Sequence, residues 1–216
     1  MTTLGKEPRR ILWGAGTPRT IRAHWMLHEL GLNYEKQPIG PRTGETQTPE
    51  FTRLNPRQKV PVLQDGDLIL AESAAIVIYL AETYGSSKGL ALPVSVPERA
   101  AFYEWCFFVM TELDAHTLYI MRKHIDLKEI YGEAPTAVQA AREGFEKQVR
   151  VAEQRLASGG PFILGKAFGG ADILLTTCLT SANNRKVPLG DVLREYMHRT
   201  TSREAYRLAY AANQRS

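Results

Sequence analysis

Thr17 follows Gly14-Ala15-Gly16 and precedes Pro18, a run that sets a hydroxyl at the start of a helix. Proline is favoured at the first helical position, so Thr17 reads as the N-cap. A thiolate placed there would be stabilised by the helix dipole and by the hydroxyl as a donor. The plain alternative is that Thr17 only caps. Glu72-Ser73 marks a second such place. Ser73 reads as the N-cap of a helix opening at Ala74, whose unpaired N–H groups can hold a carboxylate, while Glu72 can pair with an ammonium. The plain alternative is a capping serine beside a solvent-facing glutamate. At Val60-Pro61 a proline opens a strand-like run, where it cannot donate to a ladder. A cis bond there would leave the Val60 backbone N–H and C=O free to pair with a peptide ligand as an added strand; the alternative is an ordinary trans proline. Finally, Ala171-Asp172 opens an apolar helix, where the carboxylate would satisfy orphan N–H groups in a structural role.

Around these residues the chain has two textures. From Arg9 to Gly85 strand-like runs alternate with helical patterns, which predicts an α/β domain over residues 1–85. Ile11-Leu12-Trp13 reads as a strand. Ala23, Met26, Leu27 and Leu30 form one apolar helix face, ended by Gly31. Asn33 to Ile39 reads as a second strand. Val60 to Leu63 and Leu68 to Leu70 flank Asp65-Gly66, a hairpin signal, and Ala74, Val77, Ile78 and Ala81 mark a helix. The expected order is β-α-β, an irregular stretch, then β-β-α. Residues 86–97 read as a linker. The remainder, 98–216, reads as all-helical, with Phe102, Trp105, Cys106 and Val109 on one helix face. A long helix follows from Pro135, then an Ala171–Leu179 segment apolar enough to lie at the centre of a bundle, and a last helix carrying Ala205, Leu208, Ala209 and Ala212.

Composition narrows the chemistry. The 216 residues are 44% hydrophobic and 23% charged, ordinary for a soluble globular protein. Residues 1–85 hold ten Lys/Arg and nine Asp/Glu, and the rest seventeen and fourteen, so the net charge of +4 is spread out. A nucleic-acid surface would concentrate it. No run approaches the roughly 20 apolar residues of a membrane helix, and the first residues lack the apolar core of a secretory signal; the expected location is cytoplasmic. Cys106 and Cys178 are far apart within apolar patterns, with no Cys-x-x-Cys and no metal-ligand spacing, so both read as small buried hydrophobes and no metal is expected. Gly14-x-Gly16 after a strand, with Glu35 downstream, also suggests a dinucleotide fingerprint. That reading fails because Arg19 stands at the third glycine position and a proline-started hairpin replaces further βαβ units.

Taken together, the residues resemble the glutathione transferase superfamily across nearly the whole chain, in its bacterial-type, serine/threonine-like form. Leu54-Asn55-Pro56-Arg57-Gln58-Lys59-Val60-Pro61-Val62-Leu63 looks like the segment before that family's cis-proline. Leu70-Ala71-Glu72-Ser73-Ala74-Ala75-Ile76-Val77-Ile78-Tyr79-Leu80 resembles its glutamate-serine segment, and Gly165-x6-Asp172 its staple and capping region. The resemblance implies a thioredoxin-like N-terminal domain followed by an all-α domain. It implies glutathione as co-substrate, with Val60, beside Pro61, pairing with the cysteinyl backbone. Glu72 and Ser73 would hold the γ-glutamyl end, and Lys59, with Gln58, would reach the glycine carboxylate. A hydrophobic electrophile would occupy the helical domain, which Tyr119 or Phe108 could line, and the assembly would be a homodimer. The family's activating residue is usually tyrosine, serine or cysteine. No tyrosine precedes Tyr34 and no cysteine precedes Cys106. Counting back from Arg22, the serine position falls on Thr17, with Thr20 a second candidate. Gly169 stands where a capping serine or threonine is usual. The implied activity is transfer of glutathione to an electrophile; the alternatives are a non-catalytic glutathione-binding or interaction module, and a glutathione-dependent isomerase or disulfide reductase.

Overall fold

A computed structural model describes residues 8–215. Residues up to Leu80, with those from Glu204 onward, form one compact unit; Ala81–Arg203 form a second. Along the chain run β1 (Arg10–Trp13), α1 (Thr20–Leu30), β2 (Glu35–Gln37), a 3-10 turn at Glu45–Gln47 and α2 (Pro49–Leu54). Then come β3 (Val62–Asp65), β4 (Leu68–Ala71) and α3 (Ser73–Tyr84). The helical stretch comprises α4 (Val96–Phe108), α5 (Tyr119–Met121), α6 (Lys128–Tyr131), α7 (Pro135–Gly159), α8 (Gly170–Asn184), α9 (Asp191–Thr201) and α10 (Glu204–Ala212). Between α4 and α6 the helix widens to π-type turns over Val109–Leu118 and Arg122–Asp126.

The four strands form one mixed sheet in the order β2-β1-β3-β4, with β1 parallel to β2 and antiparallel to β3. This is a thioredoxin-like β-α-β then β-β-α arrangement, as expected. The irregular stretch holds α2, capped by Thr48, whose Oγ1 accepts the Phe51 N–H at 3.2 Å. Strand alternation divides the residues between two faces: Arg10 and Leu12 are buried on one, while Ile11 and Trp13 lie on the other, where Phe51 meets the Trp13 ring at 5.9 Å. The β3–β4 hairpin turns one residue later than its sequence signal. Asp65 pairs with Leu68, so the loop is Gly66-Asp67, and Gly66 (φ 60°) supplies the positive φ that tight hairpin turns need. Asp65 stays in the strand because its carboxylate lies 3.2 Å from the guanidinium of its cross-strand partner Arg10, both side chains almost wholly buried. The Tyr79 hydroxyl donates to the same carboxylate at 3.0 Å.

Two expectations change here. The sequence pattern predicts one helical domain over 98–216, but α10 packs with the first unit. The reason lies on α1, which is buried nearly all round rather than along one stripe: Ile21, Arg22, His24 and Trp25 are covered as well as Ala23, Met26, Leu27 and Leu30. Tyr206 of α10 meets the Trp25 ring edge-on at 4.8 Å. The second change is α9, a helix the apolar pattern did not reveal. Its buried positions are Leu193, Tyr196 and Thr200, so polar groups occupy part of its inward face.

The second unit is organised around α8, buried from Gly170 through Leu179. Gly169 is its N-cap residue, and Asp172 in the first turn reaches back to the Gly169 N–H at 2.9 Å. Glycine has no side chain, so this is the reciprocal half of a capping box only. The same carboxylate accepts from the Ile163 N–H (2.9 Å) and the Tyr196 hydroxyl (2.7 Å). Cys106 and Cys178 are buried and form no disulfide. Burial, aided by the negative charge of Asp172, pushes the Cys106 thiol up to about 12, which leaves it inert at neutral pH.

Candidate active site

The residues that the sequence offers for glutathione and its thiol, Thr17, Thr20, Lys59, Val60, Pro61, Glu72 and Ser73, lie in the first unit, whereas Asp172 lies in the second. The β1–α1 loop carries the first group. Gly14 has φ 116°, and a Cβ there would fall 2.6 Å from Cβ of Val60, so glycine is what lets this loop pass against the Val60–Pro61 segment. The two pieces, far apart in sequence, are thus in contact. The Val60–Pro61 bond is cis, and neither the N–H nor the C=O of Val60 takes a hydrogen bond among the described residues.

Regular α1 begins at Thr20 rather than at Pro18, but the Ile21 N–H already bonds to the Thr17 carbonyl at 3.3 Å, so a helical turn runs from residue 17. Thr17 still caps that turn: its Oγ1 accepts the N–H groups of Arg19 (3.2 Å) and Thr20 (3.0 Å). Its side chain is buried, and its Oγ1 lies 3.0 Å from Thr20 Oγ1. A threonine oxygen has two lone pairs and one proton. With both lone pairs facing backbone donors, what Thr17 has left to offer is its proton. Thr20 differs. Its hydroxyl is 2.6 Å from Oδ1 of Asn213 and 2.9 Å from the Thr17 carbonyl, both acceptors, so its proton is already engaged.

Ser73 is the first residue of α3, not its N-cap as expected. The Ile76 N–H bonds to the Glu72 carbonyl, which puts the cap position on Glu72, at φ 74°. Entering the helix through that conformation turns the Ser73 hydroxyl toward α1, where it accepts from Nη1 of buried Arg22 at 3.2 Å. Glu72 is exposed and pairs with Arg57 at 2.9 Å, a surface contact worth at most about 1 kcal/mol and easily exchanged for another cation. Lys59 is exposed. The Gln58 side chain donates to Thr52 Oγ1 at 3.1 Å, so it is tied to its own loop.

His24 holds the base of the β1–α1 loop. The Gly14 carbonyl can only accept, so Nε2 of His24, 3.1 Å away, carries the proton. Nδ1 then accepts from the Tyr34 hydroxyl at 2.7 Å, and Tyr34 in turn faces His28 Nε2 at 3.3 Å. Burial lowers the His24 pKa to about 4, assisted by the charges of His28 and Lys36 and opposed by the bond to Gly14. The folded value lies below the unfolded one, so this contribution to stability is present above about pH 6.5 and is lost as pH falls toward 4. A shift of that size corresponds to roughly 3 kcal/mol. His24→Gln keeps a donor for Gly14 without the titration. In urea unfolding between pH 7.5 and 4.5, wild type should lose stability relative to this variant; parallel curves would show that His24 does not titrate there.

Sequence reasoning missed Asn213, buried and bonded to Gly16, Thr17 and Thr20, and gave Arg22 no role. Neither carries a local signal, since their partners lie far along the chain. Among the described residues no three His, Cys, Asp or Glu side chains gather as a metal site.

A thioredoxin-like sheet unit with a cis-proline loop against a hydroxyl-capped helix start, followed in the chain by an all-helical unit, defines the fold class. The chain belongs to the glutathione S-transferase family. Residues 9–82 match the family's N-terminal domain and residues 135–208 its C-terminal domain. It is 35% identical to glutathione S-transferase 2 of Anopheles gambiae over 72% of this chain and 69% of that protein. With glutathione S-transferase 3 of Zea mays identity is 33%, over 77% and 75%. Among solved structures, a theta class glutathione S-transferase from Xanthomonas axonopodis pv. citri with glutathione bound superposes with TM-score 0.80 at 26% identity, covering 97% of this chain and 99% of that one.

Proposed function

We propose that this chain is a glutathione transferase that lowers the thiol pKa of bound glutathione and directs the thiolate at an electrophilic small molecule. The observation that carries the reading is the hydrogen-bond state of Thr17. Its oxygen already accepts from two backbone N–H groups, its proton rests on the neutral Thr20 Oγ1 3.0 Å away, a weaker acceptor than a thiolate, and it sits at the positive end of α1. Thr20 is the weaker candidate because its proton faces Asn213. Val60 lies in contact with the same loop through Gly14, and its backbone groups, without a hydrogen bond among the described residues, suit the cysteinyl backbone of glutathione, with Pro61 beside it. Glu72 and Ser73 would take the γ-glutamyl ammonium and carboxylate at the start of α3. Exposed Lys59 would meet the glycine carboxylate. A hydrophobic electrophile would be held by the helical domain, and the protein would work in the cytoplasm as a homodimer, for which a light-scattering mass near 24.2 kDa would be the contrary result.

Turnover of an aromatic halide with glutathione tests the reaction: binding without turnover would favour a non-catalytic member of the fold. Calorimetry tests the peptide site. Removing a hydrogen bond to a charged group costs about 1.5–3 kcal/mol, roughly tenfold to a hundredfold in affinity. Ser73→Ala should therefore lose retention on immobilised glutathione, and Glu72→Ala should weaken it. Wild-type affinity in both variants would remove the γ-glutamyl site from these residues.

A further inference from the structure

Asn213, just past α10, touches the β1–α1 loop at three points. Its C=O accepts the Gly16 N–H at 2.7 Å. Its side-chain Nδ2 donates to the Thr17 carbonyl at 3.2 Å, and its Oδ1 accepts the Thr20 hydroxyl proton at 2.6 Å. The amide orientation follows from the neighbours: a carbonyl can only accept, so the nitrogen must face Thr17 and the oxygen must face Thr20. Asn213 is buried, and a second anchor lies two residues on. There Arg215 pairs with Glu45 at 2.7 Å, its side chain running over Gly16 and Gly40. Glu45 also accepts from the Gly40 N–H, so the strap closes on the loop after β2.

We propose that Asn213 is a positioning residue for the thiol-activating hydroxyl, an inference that rests on the reading of Thr17 as donor. By taking the Thr20 proton, Asn213 turns a lone pair of Thr20 Oγ1 toward Thr17. The Thr17 proton rests on that oxygen, 3.0 Å away. When a thiolate arrives it swings to the sulfur, a stronger, charged acceptor. By holding the Thr17 carbonyl as well, Asn213 fixes the backbone from which the hydroxyl projects. Nothing covalent changes in this step; one hydrogen bond replaces another.

The test titrates the thiol of bound glutathione by its ultraviolet thiolate absorbance, alongside steady-state rates. Asn213→Ala should raise the thiol pKa by about one unit, a roughly tenfold loss of rate at neutral pH that recovers in alkaline buffer. KM for glutathione should change little. Asn213→Asp keeps the size but sets a negative charge beside the thiolate and an acceptor against the Thr17 carbonyl, so it should raise the thiol pKa further than alanine does. If both variants fold and titrate like wild type, with only a lower melting temperature, Asn213 merely docks α10 and the proposal is overturned. Should they fail to fold, Thr20→Val breaks the same link from the other side; an unchanged titration there overturns it equally. Thr17→Val, run in parallel, separates the two levels. If that variant keeps the wild-type titration the donor reading itself fails, whereas a shift there without one at Asn213 removes only the positioning role.

Discussion

Thr17→Val should slow glutathione conjugation by roughly 10- to 100-fold at neutral pH while leaving glutathione affinity nearly intact. A hydrogen bond to a charged group is worth about 1.5–3 kcal/mol, and here it acts on the thiolate rather than on the peptide part of the ligand. The loss should therefore appear in kcat and in the thiol titration, and it should shrink in alkaline buffer. Valine keeps the shape but strands the Arg19 and Thr20 N–H groups that Thr17 Oγ1 now accepts. That costs about 0.5–2 kcal/mol of stability, so melting curves belong beside the kinetics. Thr17→Ser restores the proton and should keep or improve activity, since serine lacks the methyl that restricts χ1. Thr20→Val should give a smaller shift in the same direction. Full activity and an unchanged titration in Thr17→Val would mean that Thr17 is a cap and no more.

The largest expected loss of stability is at Asp172. Asp172→Ala would leave three donors stranded: the N–H groups of Ile163 and Gly169 and the hydroxyl of fully buried Tyr196. An uncompensated set of this kind costs about 3–5 kcal/mol. For a chain of this length that lowers Tm by roughly 6–20 °C. Scanning calorimetry reads it, and a Tm within a couple of degrees of wild type would show that the carboxylate is dispensable. Burial pushes the Asp172 carboxyl up to about 6, against the pull of its three hydrogen bonds. A raised folded pKa means the proton-linked contribution is present below about pH 4 and is lost as pH rises through 6. His24 titrates with the opposite sign in an overlapping window. The two partly cancel in wild type, so the pH dependence of either shows only in the difference between wild type and its variant.

What could be seen in the sequence was local. Pro18 after Thr17, the hairpin glycine at Gly66 and the Glu72-Ser73 pair each sit within a few residues of the structure they specify, and the β-α-β, β-β-α order follows from them. Single-residue errors arose where a tertiary contact overruled a local preference: Asp65 stays in β3 to meet Arg10, and Ser73 gives up the cap to meet Arg22. Long-range partnerships left no trace. The Asn213 contacts with Thr17 and Thr20 span almost the whole chain. The broad burial of α1 could not be read from its stripe, because α10 covers its other side. α9 escaped because Thr200 turns inward to bond Thr176.

Because α10 belongs with the sheet, the first unit is written in two instalments separated by Ala81–Arg203. A ribosome releases residues 8–80 first, and domains generally begin to fold as they emerge. At that stage the sheet and α1 can assemble, yet Trp25 has no Tyr206 to cover it and the β1–α1 loop has no Asn213 to hold it. The intervening helices must be synthesised before the closing piece arrives. The order of translation therefore separates the completion of the scaffold from the completion of the site: the hydroxyl pair that the proposed chemistry needs is set by residues made only after the whole second unit.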